Sequence, residues 1–467
     1  MIAMTCREIA DVVGGRVVHD EDGTGGPTVT APAFVDSRLT ERGGLFVAVA
    51  GSRVDGRDYV EAAFGAGAAA VLSSRDTGRP GVVVEDPVVA LGRLAQHCLG
   101  RLPDVRVVAL TGSQGKTSCK DLLAQVLSTG TTWGSTVATF GSFNNELGLP
   151  LTVLRADTST EFLVLEMGAR HVGDLRASCE VARPDVSLVL NVGKAHIGEF
   201  GSQERIAQAK GEIVDALTED GTAVLNADDP LVAAMASRSR GRVQTFGTGP
   251  HADVRLAGVS VDELGRPSFT LHATGEQAEV SMRLVGEHHA MNAAATTAVA
   301  LALGVRLDQT AAALGRATAT SRGRMEVRER ADGVTVIDDA YNANPDSVRA
   351  ALKALAAVGN GRPEARTVAV LGEMRELGDA AQAEHDAVGR LAVRLDIDQL
   401  VVVGEAARAV HLGACLEGSW GGESVFVPSP EAALDWLRDQ LAPGDVVLFK
   451  ASNVVQLSRL AEQVMAL

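Results

Sequence analysis

A glycine-lysine-threonine turn placed directly after an apolar run can hold a phosphate, and this chain has one in TGSQGKTS, residues 111–118, behind RVVAL. Gly112 and Gly115 let backbone N–H groups approach an anion, Lys116 can reach a terminal phosphate, and Thr117 offers a hydroxyl to Mg²⁺. Ser113, Gln114 and Ser118 complete the loop, and the helix that should follow turns its positive end toward the ligand. The longer form of such loops has a glycine six residues before the lysine. That position is Leu110, so the loop is of a shorter kind, and Leu110 reads as the last residue of a buried strand.

Three further residues could share chemistry with this loop. Glu166 closes the apolar run FLVLE and is either a solvated acid at a loop edge or a Mg²⁺ carboxylate. His196 closes NVGKAH after the run VSLVLN, as a structural histidine or as a ligand or catalytic group. Lys210 sits in ERIAQAKGEIVDAL at +4 from Ile206 and at −3, −4 and −7 from Ile213, Val214 and Leu217, so helical spacing puts it on the apolar face. Such a lysine either snorkels to the surface or has its charge neutralised or chemically converted, because an unpaired buried ammonium is costly. Farther along, Asp338 and Asp339 precede AYNANPDS. Acids and amides are frequent in turns, yet four such groups within seven residues exceed what a turn needs.

The elements that must position these groups are legible in outline. RVVAL, FLVLE and VSLVLN have the length and composition of buried parallel strands. Ligands in open α/β sheets collect beyond the carboxyl ends of strands, so the three following loops are expected to converge. Before them, residues 34–72 alternate strand and helix patterns in a small α/β unit. After them, GEHHAMNAAATTAVALAL is too apolar to be an exposed helix, and VTVID, TVAVLGE, QLVVVG and DVVLF alternate with helical segments in a Rossmann-like pattern that lacks GxGxxG. The expected architecture is α/β in three domains: 1–104 a small N-terminal domain, 105–318 a central phosphate-loop domain with a mostly parallel sheet, and 319–467 a Rossmann-like domain.

At 467 residues the chain exceeds one core. Its cores are built from Ala, Val and Leu, since hydrophobic residues make up 46% and aromatics only 3%. A formal charge of −16 disfavours nucleic acid and anionic membranes as partners. Five scattered cysteines without a CxxC pair argue against a disulfide framework or a zinc site. The N-terminus reads as an amphipathic helix rather than a signal peptide, and no apolar run reaches the ~20 residues of a membrane span. A cytoplasmic, soluble chain is expected.

Taken together, TGSQGKTS, EMGA at Glu166, NVGKAHIGEFGS, AKGEI around Lys210, NADDP at Asn226, the Asn292 helix, GRME at Arg324 and DDAYNANPDS resemble the Mur ligase family in order and approximate spacing, over nearly the whole chain. The family comprises ATP-dependent enzymes that extend the peptide of the bacterial cell-wall precursor. GSFNNELGLPLTVL, DAYNANPDS and VLGEMRELG resemble the branch that joins D-alanyl-D-alanine to UDP-N-acetylmuramoyl-tripeptide. The resemblance implies an acyl-phosphate mechanism with ATP and two Mg²⁺ in a monomer. It implies that residues 112–118 hold the ATP phosphates; that Thr117, Glu166, His196 and a carbamylated Lys210 ligate metal; and that Asn292, Arg324, Asp339 and Asn342 contact the nucleotide. Ser37, Arg38 and Asp55 would hold the UDP end, and Asn144, Asn145 and Asn344 the peptide. The chain departs from the family pattern at Arg57, His289 and Asn453. The alternatives are another Mur-type or folylpolyglutamate-type amide ligase or, from a different class, a nucleotide-sensing ATPase module.

Overall fold

The computed structural model describes residues 1–20, 23–51, 54–129, 135–141, 143–193, 197–362, 364–418 and 421–467. Its strands fall into three successive groups along the chain. A two-stranded and a five-stranded sheet use residues up to Val83, a nine-stranded sheet runs from Arg106 to Ser281, and a six-stranded sheet runs from Glu326 to Lys450.

The middle sheet positions the site. Strand Arg106–Thr111 lies between Val186–Val189 and Thr160–Glu166, all parallel. Glu166 is level with Leu110 and Val189 with Thr111, so the three carboxyl ends finish at one height. The strand runs one residue beyond the expected end, through Thr111. Period-two alternation sends Val107 and Ala109 to one face and Val108 and Leu110 to the other, both buried. The second face is covered by helices Lys116–Ser128 and His288–Ala302. The latter is buried along most of its length, and its Ala and Thr side chains allow close packing. Thr296 and Thr297 hand their hydroxyls back to the carbonyls of Asn292 and Ala293, so burial leaves them satisfied.

Two features lie outside the sequence reading. The sheet does not end with its parallel strands: Val254–Val261, Pro267–Ala273 and Glu276–Ser281 extend it as an antiparallel meander. The N-terminal unit also lacks a core of its own on that side, because helix Pro87–Gly100 inserts Leu91, Leu94 and Cys98 into the same cluster as Leu149, Leu163 and Ile206. The C-terminal sheet, by contrast, has separate clusters on its two faces. None of the described helices is long and apolar enough to cross a membrane.

Candidate functional site

The phosphate loop is held open by two glycines whose neighbours leave no room for a side chain. A Cβ on Gly112 would lie 2.9 Å from Leu190 Cβ, and one on Gly115 would lie 2.8 Å from Asn292 Oδ1. Gly115 also has φ +79°, which L side chains resist. Helix Lys116–Ser128 begins on Gly115 without a side-chain cap. The first amides of a helix have no intrahelical acceptor, so this end is left to an anion in the cavity. Asn191 was not singled out from sequence. Its Oδ1 accepts from the amides of Ser113 (2.9 Å) and Gln114 (3.0 Å) and ties the loop to the neighbouring strand end. Lys116 Nζ donates to the Gly112 carbonyl at 2.8 Å. Burial pushes the Lys116 ammonium below its ordinary pKa, the Glu166 charge opposes this, and Arg324 adds to it.

Glu166, 1% exposed, faces the loop from the next strand. Its carboxylate accepts from Thr117 Oγ1 at 2.9 Å and from Asn144 Nδ2 at 2.7 Å, and its backbone N–H donates to Thr139 Oγ1 at 3.0 Å. Lys210 arrives from helix Gln203–Asp215, is 5% exposed and lines the same cavity. Among the described residues it has no hydrogen-bond or ion-pair partner. Burial drives its pKa well below the ordinary lysine value, and the charge of Lys116 pushes the same way. The inward orientation read from helical spacing is therefore what the fold contains, and snorkelling is not. His196 lies outside the described residues.

Among the described residues no three His, Cys, Asp or Glu side chains form a metal cluster. The donors available are hard oxygens, the Glu166 carboxylate and the Thr117 hydroxyl already 2.9 Å apart, and such donors suit Mg²⁺. A lysine ammonium cannot ligate a cation, whereas its carbamate would add oxygens to the set. The residues present fit Mg²⁺ on that condition.

The opposite wall belongs to the C-terminal sheet. Lys450, 2% exposed, donates to Asp339 Oδ2 at 2.6 Å and to the carbonyls of Asp339 (3.2 Å) and Asn342 (3.0 Å). The Arg324 guanidinium lies 4.5 Å from the centre of the Tyr341 ring. Asn292 Nδ2 is buried without a partner among the described residues. Asn344 caps helix Pro345–Gly361 by accepting from Ser347 N–H at 2.9 Å, which leaves its amide nitrogen as a donor. Asn145 likewise spends Oδ1 on Gly148 N–H at 2.9 Å.

These groups line one cavity of about 1850 Å³ between the central and C-terminal sheets. It brings together Ser113–Ser118, Asn144, Asn145, Glu166, Lys210, Asn292, Arg324, Asp339, Asn342 and Asn344. Gly112 is not part of the lining. Ser37, Arg38 and Asp55 are not part of the lining. They sit on two short turns of the N-terminal unit built alike: Asp36 caps one and takes the Arg38 guanidinium, and Asp55 caps the other and takes that of Arg57. The Arg57 contact holds the Asp55 carboxyl down to about 2.

Comparison with known proteins adds the following. Residues 34–97 match the model "Mur ligase family, catalytic domain", 110–300 the "Mur ligase middle domain" and 323–453 the "Mur ligase, glutamate ligase domain". The chain is 48% identical to the UDP-N-acetylmuramoyl-tripeptide--D-alanyl-D-alanine ligase of Mycobacterium bovis, with 100% of this chain and 98% of that protein covered. The crystal structure of MurF from Acinetobacter baumannii superposes with a TM-score of 0.85 at 30% identity, covering 100% and 99% of the two chains. The MurF ligase of Thermotoga maritima, solved in complex with ADP, gives 0.78 at 32% identity over 94% and 98%.

Proposed function

The chain belongs to the Mur ligase family, and from that premise we infer that it joins D-alanyl-D-alanine to UDP-N-acetylmuramoyl-tripeptide, forming ADP and phosphate. The observation that carries this reading is identity of nearly half the residues, end to end, with a ligase of that name. The cavity supplies the chemistry such a ligase needs: an uncapped helix end, a lysine and a buried carboxylate on one wall, and a second domain facing them.

The reaction runs in two steps. The terminal carboxylate of the tripeptide attacks the γ-phosphorus of ATP, the bond to the β-phosphate oxygen breaks, and an acyl phosphate and ADP result. The amine of the dipeptide, having lost its proton, then attacks the acyl carbon, and the carbon–oxygen bond to phosphate breaks. Phosphoryl transfer depends on positioning and charge neutralisation more than on covalent help. Lys116 and the first amides of its helix would hold the transferring phosphate. Glu166, Thr117, His196 and carbamylated Lys210 would hold Mg²⁺, which when bound neutralises phosphate charge. Asn292, Arg324, Asp339 and Asn342 would fix the nucleotide, Asn144, Asn145 and Asn344 the peptide, and Ser37, Arg38 and Asp55 the UDP end. A closed C-terminal domain would keep water from the acyl phosphate. The use of ATP supports a cytoplasmic reaction.

The test is ADP release measured with each substrate omitted in turn. Release should require both the UDP-muramoyl tripeptide and the dipeptide. Steady ADP formation with neither present, unchanged on adding both, would overturn the reading in favour of a nucleotide-driven module.

A further inference from the structure

Two of the segments that resemble the dipeptide-adding branch, DAYNANPDS and VLGEMRELG, extend beyond the carboxyl ends of strands Thr335–Asp338 and Thr367–Leu371. Those strands flank Val446–Lys450, with Asp338 level with Phe449 and Leu371 level with Lys450. Both loops therefore rise from one edge of the sheet, where α/β folds collect ligands. The ligation reading gives the first loop work and leaves the second without any.

That second loop is built rather than loose. Met374 N–H donates to His385 Nε2 at 2.9 Å, Arg375 N–H to Ser452 Oγ at 3.0 Å, and Ser452 N–H to the Glu373 carbonyl at 2.9 Å. Glu376 holds φ +63°, a region its surroundings must impose on a residue with a side chain, and its carbonyl accepts from Gly198 N–H across the cleft at 3.2 Å. The tip so fixed presents Arg375 on the cavity wall, exposed, its guanidinium without a partner among the described residues.

The other cations of the wall are committed. Lys116 is on the Gly112 carbonyl, Lys450 on Asp339, and Arg324 over Tyr341. Arg170 lies 3.7 Å from the Glu376 carboxylate, and Lys210, 5% exposed, belongs to the proposed metal set. Arg93 reaches the Val13 carbonyl from the N-terminal side.

We propose that Arg375 binds the terminal carboxylate of the incoming dipeptide and so sets which end of it faces the acyl phosphate. The assignment rests on the ligation reading above. The amine must shed its proton to attack, which leaves the carboxylate as the one charge by which the bound dipeptide can be oriented, and a planar guanidinium matches it in bidentate fashion.

Initial rates of phosphate release with D-alanyl-D-alanine and with its C-terminal amide test this in the wild type, Arg375→Ala and Arg375→Lys. The wild type should prefer the free acid by roughly ten- to a hundredfold in kcat/KM, the range for losing a hydrogen bond to a charged group. Arg375→Ala should raise the KM for the dipeptide by about that factor, leave the KM values for ATP and the muramoyl peptide alone, and treat acid and amide alike. Arg375→Lys should recover part of the preference. A wild type that ignores the carboxylate, or an Arg375→Ala protein that still prefers the acid to the full extent, overturns the assignment while leaving ligation intact. Absence of phosphate release from the wild type with any D,D-dipeptide overturns the ligation reading itself and the assignment with it.

Discussion

Two buried lysines line the cavity, one from the central sheet's side and one from the C-terminal sheet, and the fold treats them in opposite ways. Lys450 is buried with its counter-charge: Asp339 lies at 2.6 Å and two carbonyls complete the shell. Lys210 is buried too, yet no acceptor among the described residues meets it, and the charge that acts on it is another ammonium, that of Lys116. Burial lowers both pKa values, but only at Lys450 does a carboxylate pull the other way. A carboxylate works to hold the proton at one site, and nothing among the described residues does so at the other. A neutral amine is the form that adds carbon dioxide, so the environment of Lys210 favours the carbamate that the family resemblance implies.

This contrast can be broken from either side. The largest effect is expected from Asp339→Ala, which leaves the Lys450 ammonium buried and unpaired. Losing one partner of a buried pair costs about 3–5 kcal/mol. Urea unfolding followed in the C-terminal domain should show it, and adding Lys450→Met should recover much of the loss, since the two sites couple. Lys210→Ala should behave the other way round. It is expected to cut ligation by roughly 10²–10³-fold, the scale of a preorganised electrostatic group, without lowering the unfolding midpoint. A clear loss of stability would mean that Lys210 is paired after all.

A smaller effect is expected at the phosphate loop. Gly115→Ala forces a Cβ into the left-handed region, at about 1–2 kcal/mol, and into Asn292 Oδ1 2.8 Å away. Isothermal titration should show weaker ATP binding, with the KM for the dipeptide unchanged.

The smallest effect is a slope. Because the folded pKa of Lys210 lies well below the ordinary value, the unfolded chain binds one proton more throughout the interval between the two. Stability therefore rises with pH across that window, and the slope vanishes below the lowered pKa, where both states are protonated. Urea midpoints from mildly acidic to alkaline pH should be flatter in Lys210→Met than in the wild type. Lys450→Met should change the slope less, because Asp339 offsets part of that shift.

What was legible in the sequence was whatever depends on short spacing. The phosphate loop and the inward face of Lys210 follow from glycine's freedom and a period of 3.6 residues, and the convergence of the loops from the habit of α/β sheets. What was not legible depends on partners far apart in the chain. Asn191 closes the phosphate loop from 77 residues away. Asn144, read as a peptide contact, spends its Nδ2 on Glu166 across 22 residues. Asp339 finds Lys450 across 111, where Asp339 alone could be read as a turn acid. The shared core under helix Pro87–Gly100 escaped for the same reason: amphipathic spacing says that a face is buried, not against what.

By itself, then, the sequence determined the kind of elements, the phosphate chemistry at 112–118 and the family, because motifs at fixed offsets carry their own geometry. Only the tertiary structure decided which buried charge has a partner. Burial and pairing are sums over every element that packs against a residue, and for Lys210 and Lys450 those sums come out with opposite sign in a cavity that neither local segment encodes.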